Sequence, residues 1–380
     1  MNRARIILLL LPALLLAACD SAPPPHASAS GGTVSVADRM SAQPLPGFKR
    51  AYRPREFKFP ADHAAHPDYA TEWWYFTGNL ATDEGRRFGY QLTLFRVGLV
   101  AGEPAQDSSL RSNQLYMGHL AITDIEAQRH YHAERFSRAA AGLAGAQAVP
   151  LKVWLGSWTI EQAGKVDTFP IKLRADAAGI EIQLTLGPGN RPRVLQGDAG
   201  LSQKSAEPGN ASYYYSYTRL PTRGRLRIDN AWYEASGNSW FDREWSSSAL
   251  GPDQAGWDWF SLQLQDGRDL MFYSMRDKQG KAQRFSKGVL VSKEGKVTSL
   301  NLENTRLEAL RHWRSKVSGI RYPVSWHLQI PSQQIDLRID AALPDQEMNL
   351  SVRYWEGAVN VSGSHHGVGY LEMSGYTASP

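Results

Sequence analysis

Cysteine is almost absent from this chain: Cys19 is the only one in 380 residues, so no disulfide can form within a monomer. Helical periodicity is scarce as well, and the connections between apolar segments are too short to hold crossover helices, which excludes a parallel α/β sheet. No Gly-x-Ser-x-Gly elbow occurs, and Ser239 has no evident His and Asp escort, so serine hydrolysis lacks support. The pairs His63/His66, His130/His132 and His365/His366 form no recognised ligand motif with carboxylates, so no metal and no other cofactor is expected. Strong charge is missing too. The full chain carries +5, and loss of Arg3 and Arg5 with a leader would leave about +3, which argues against nucleic acid as a partner.

What the chain does have is aromatic residues: 12 Trp, 16 Tyr and 12 Phe, types that favour strands and apolar pockets. The start, MNRARIILLLLPALLLAAC, reads as a secretion signal over residues 1–18, and Leu16-Ala17-Ala18-Cys19 matches a bacterial lipobox with Cys19 as the lipidated residue. Asp20 directly after it resembles an inner-membrane retention signal, so a periplasmic lipoprotein on the outer face of the inner membrane is expected. Residues 19–50, rich in Pro, Ser, Ala and Gly, read as a flexible tether. From Tyr52 onward short strands follow one another. The alternation of Ile180, Ile182, Leu184 and Leu186 with Glu181, Gln183 and Thr185 marks a half-buried strand. A hairpin is expected around Ser236-Gly237-Asn238, single strands over 151–161 and 348–354, and a domain boundary near Ala249 in SSSALGPDQAG, giving domains 51–249 and 250–380. Two runs of about eight antiparallel strands predict an all-β chain of two barrels or sandwiches.

The stretch from Gly237 to Trp259 concentrates the chemistry. Read as extended, it puts Trp240, Asp242 and Glu244 on one face and Phe241, Arg243 and Trp245 on the other. Charge and ring surface then share both faces. One reading is a structural Arg–carboxylate pair closing a barrel end; the other is a ligand or catalytic site, with Asp242 and Glu244 as candidate acids. An ion pair between Arg243 and either acid would lower its pKa and oppose acid catalysis. Further polar and aromatic candidates for a pocket between the domains are Glu72, Trp74, His119, Tyr215, Trp257, Tyr354 and Glu356. A core histidine is the alternative for His119.

In order along the chain stand EWWYFTGNL, GYQLTLFR, GHLAITD, SYYYSYTRL, SWFDREWSS, GWDWFSLQL and YWEGAVNVSG, and with them residues 55–376 resemble the AttH and CrtC-like family of secreted bacterial proteins. The resemblance implies two lipocalin-like antiparallel β-barrel domains, with Trp73 or Trp74 as a barrel-closing tryptophan. It also implies one of two functions. The first is a membrane-anchored lipoprotein that binds an apolar or amphipathic, lipid-like molecule as an accessory to an ABC-type transporter. The second is a lyase like carotenoid 1,2-hydratase, adding water to an isoprenoid double bond. The hydratases have a histidine where Arg243 stands and an aspartate near Tyr273-Ser274-Met275, and this chain has neither.

Overall fold

Period-two alternation sets the architecture: in the strand Ile180–Leu186 every second residue is buried, and the intervening polar residues are partly exposed. The computed structural model describes residues 34–35, 46–102, 112–164, 169–247 and 250–378. The leader, Cys19, Asp20 and the expected boundary at Ala249 lie outside the described residues. Among those described, no helix is long and apolar enough to cross a membrane.

The strands form two barrel-like sheets, antiparallel except for one short parallel pair, in the two-domain lipocalin-like arrangement. The first sheet runs in the order 129–138, 114–124, 87–98, 71–81, 231–246, 211–228, 180–186, 171–177, 158–162, 152–155 and 144–147. Its ends approach each other. A Cβ built on Gly118 would lie 2.7 Å from the Trp158 ring, so only glycine lets the 114–124 strand meet the 152–162 hairpin. Arg135 ties the same seam by donating to Ser157 Oγ at 2.6 Å and to the Asp176 carbonyl at 3.3 Å.

The second sheet runs 297–301, 287–291, 269–277, 254–264, 367–374, 352–363, 335–341, 321–330 and 306–314. Each sheet has an apolar core of its own. A third core, with Tyr75, Tyr214, Trp240, Trp259, Met271 and Tyr273, lies where the sheets meet.

Four local expectations need correction. No turn forms at Ser236-Gly237-Asn238: the strand is continuous from Ala231 to Ser246, and a Cβ on Gly237 would collide with the Asn79 carbonyl of the next strand. The 151–161 segment is two strands, because Gly156 at φ +59° turns the chain between them. The 348–354 segment divides into 347–349 and a strand that continues from Val352 through Gly357 to Gly363. The expected tether is held at two places: Val34–Ser35 pairs in parallel with Val352–Arg353, and Lys49 N donates to the Asp68 carbonyl at 2.8 Å.

Candidate functional site

The strand Ala231–Ser246 lies between 71–81 and 211–228, and its alternation sends neighbouring side chains to different cores. Phe241 and Trp245 enter the first core, and Arg243 goes with them. Arg243 Nη2 donates to Glu72, which also accepts from Arg96 Nε and from the His66 amide at 2.9 and 3.0 Å. Arg243 Nη2 reaches the Ala64 carbonyl at 2.5 Å, and its guanidinium carbon lies 4.0 Å from the Trp74 ring centre. Glu72 is fully buried; burial alone would raise its pKa, but Arg243 and Arg96 outweigh it and hold it below the usual range. This cluster pins the 63–70 loop over one end of the first core. Trp74 donates to the His63 carbonyl at 2.7 Å, Tyr215 OH lies 2.5 Å from His63 Nδ1, and Trp245 stacks on His66 at 3.8 Å. Glu72, Trp74, Tyr215, Arg243 and Trp245 therefore stand apart from the carboxylates at the junction.

The other face of the same strand points at the second sheet. Asp242, 3% exposed, accepts from Tyr214 OH at 2.5 Å, Ser216 Oγ at 2.5 Å and Trp240 Nε1 at 2.7 Å. Burial pushes its pKa up to about 7 against these three hydrogen bonds, with help from the negative charge of Glu244. Among the described residues no arginine pairs with it, since Arg243 is turned away to Glu72. Trp259 Nε1 donates to Tyr214 OH at 3.1 Å, and its ring meets Trp240 and Tyr75 edge to face at 6.2 and 5.2 Å. Glu244 pairs with Lys204 Nζ at 3.1 Å, and the ammonium lies 4.4 Å from the Tyr273 ring centre.

On the second sheet Glu356 and Glu372 are direct cross-strand partners. Tyr75 OH donates to Glu356 Oε1 at 2.9 Å, and Trp257 Nε1 to Glu372 Oε1 at 2.6 Å. Burial, then repulsion from Glu372, raises Glu356 well above its ordinary pKa, which favours its protonated form. Burial also raises Glu372 to about 7, against its bond from Trp257 and with repulsion from Glu244 adding to the rise. The junction thus gathers Trp240, Asp242, Glu244, Trp257 and Glu356 from the sequence candidates. His119 and Tyr354 pair nearby, His119 Nδ1 lying 2.8 Å from Tyr354 OH.

Sequence reasoning missed Tyr75, Lys204, Tyr214, Ser216, Trp259 and Glu372. For Glu372 a signal existed, an acid inside the apolar run Gly369–Ser374. For Tyr214 it lay in the period: Tyr214 and Ser216 share a face opposite to that of Tyr215, and they pair across strands with Glu244 and Asp242.

A family model described as AttH-like matches residues 50–376. A solved structure from Nitrosomonas europaea, named as an AttH, is 30% identical, covers 87% of this chain and 100% of its own, and superposes with a TM-score of 0.77. Kievitone hydratase from Nectria haematococca, at 15% identity, covers 87% of this chain and 98% of its own with a TM-score of 0.63. CghA, at 14%, covers 91% and 98% with a TM-score of 0.53. These last two share the fold alone. No curated protein matches the chain in sequence. The family match spans both sheets and every strand that builds the junction, and the chain belongs to the AttH-like family.

Proposed function

We propose that this protein binds an unsaturated apolar or amphipathic small molecule at the junction of its two sheets and protonates it, as a hydratase-type lyase does. The observation that supports this is Asp242, a carboxylic acid with a pKa near 7, held among Trp240, Tyr214 and Trp259. Adding water to an alkene needs a proton donor, ring surface to stabilise the cation, and a base for the water. Asp242 gives its proton to one alkene carbon while the π electrons form the new C–H bond. The indoles of Trp240 and Trp259 face the resulting carbocation. Water adds to it, and Glu372, with the same pKa, takes the released proton.

The experiment incubates the purified full chain with acyclic isoprenoids and unsaturated lipids in heavy-oxygen water, then reads the products by mass spectrometry. The wild type gains one labelled water, and Asp242→Asn is slower by about 10²- to 10⁴-fold, the usual weight of a general acid. A second reading, favoured by the lipobox, is a binding accessory to an ABC-type transporter. A co-purifying lipid with no water gain would select that reading, and the absence of both product and bound molecule would overturn the two together.

The anchor is part of the same proposal: Cys19 carries the lipid, and Asp20 keeps the protein in the inner membrane, on its periplasmic face. Asp20→Ser then moves it to the outer membrane on fractionation. An unchanged distribution would remove the assignment.

A further inference from the structure

Away from the carboxylates, one face of the paired strands Gln114–Asp124 and Arg129–Arg138 brings His119, Ala121 and Thr123 beside Glu134, His132 and His130. Met348, fully buried on the short strand Glu347–Asn349 of the second sheet, packs onto this face with Ala121 and Tyr354. His130 Nε2 lies 3.4 Å from Met348 Sδ. The neighbouring hydrogen bonds decide what that contact is. Gln346 Nε2 donates to the Leu343 and Ala358 carbonyls, each at 3.0 Å, and its Oε1 accepts from the Ala358 amide at 2.9 Å, so the amide orientation is fixed. Thr123 Oγ1 lies 2.9 Å from that Oε1 and must give its one hydroxyl proton there. At 2.9 Å on the other side, Thr123 Oγ1 can then only accept, so His130 Nδ1 carries the ring proton. Nε2 is left with a lone pair directed at a thioether sulfur. Two acceptors facing each other gain nothing until a cation sits between them.

More unused donors stand nearby. His132 Nδ1 and His119 Nε2 are shut off from solvent without a hydrogen-bond partner.

We propose that His130 Nε2 and Met348 Sδ, with His132 as third donor, form a binding site for a soft monovalent cation, cuprous copper. Thioether sulfur selects Cu(I) over the harder divalent ions, and imidazole suits it as a partner. Among the described residues no three His, Cys, Asp or Glu are arranged to hold a metal, so the methionine is what completes the set. The Thr123–Gln346 chain fixes the ring as an outer-shell partner does in known metal sites. The bound ion would join the two sheets, since His130 belongs to the first and Met348 to the second.

The test uses the untagged full chain carrying Cys19→Ala, which removes the one thiol, titrated anaerobically with Cu(I) held by a chromophoric chelator. One Cu(I) per chain is expected, with affinity at least about tenfold weaker in Met348→Leu and His130→Asn, and a smaller loss in Thr123→Val. Leucine matches methionine closely in volume, so the melting temperature of Met348→Leu should hold and separate ligand loss from unfolding. X-ray absorption on the loaded parent supplies a readout independent of any variant, because a sulfur neighbour in a thiol-free chain is a methionine. Failure of the parent to take copper from the chelator, a shell without sulfur, or equal affinity in Met348→Leu would each overturn the proposal.

Discussion

Asp242 and Arg243 are adjacent in the chain and end in different cores, which gives their substitutions opposite signatures. Arg243 is one of two guanidinium partners of the buried Glu72. Its removal leaves that carboxylate short of charge compensation, in the class of change that destabilises by about 3 to 5 kcal/mol. Asp242 has the reverse linkage. Its folded pKa of about 7 lies above its unfolded value of about 3.9, so the folded chain binds more protons between those limits. The stability it contributes is fully present below pH 4 and is lost as pH rises through 7. A rise of that size is worth about 4 kcal/mol. Asp242→Asn should therefore gain on the wild type by about that amount between pH 4 and pH 8, as measured by denaturant unfolding at both values. A difference between the two proteins that stays constant with pH would show that Asp242 titrates normally in the fold.

At the scale of strands, local pattern was enough for some features and silent on others. Alternation in 180–186 and in Trp240–Trp245 told which residues share a face, because the strand period is two whatever the partner. It could not tell which strand lies opposite, because register between 211–228 and 231–246 is set by pairing over the whole hairpin. Hence Tyr215 was a sequence candidate while Tyr214, one residue earlier, holds the carboxyl of Asp242. The same limit hid the partner of Arg243, since Glu72 comes from a strand some 170 residues away. Glycine misled in both directions, since Gly156 turns the chain inside what reads as one strand. Gly237 carries the composition of a turn, yet its missing side chain serves close approach to the Asn79 carbonyl inside a sheet. The turn itself is at Asp229, which takes φ +53°, a value aspartate tolerates better than most residues.

Considered whole, the molecule joins its sheets by more than the aromatic junction core. Asp269 of the second sheet, fully buried, accepts from Thr218 Oγ1 at 2.7 Å, from Arg219 Nε at 3.0 Å and Nη2 at 2.6 Å, and from Arg191 Nη1. Arg219 and Thr218 belong to the long strand 211–228, so the clamp fastens the first sheet to the start of the strand 269–277. Gln263 Nε2 adds a bond to the Thr218 carbonyl at 2.7 Å. With such coupling we expect the wild type to unfold in one calorimetric transition, since opening either sheet would strand Asp269 or the arginines without partners. Replacing both Arg191 and Arg219 by alanine leaves a buried carboxylate with Thr218 alone. We expect about 3 to 5 kcal/mol of destabilisation and a scan that divides into two transitions, one for each sheet. A single transition at the wild-type temperature would mean that the aromatic contacts of Tyr75, Trp240 and Trp259 couple the sheets without the clamp.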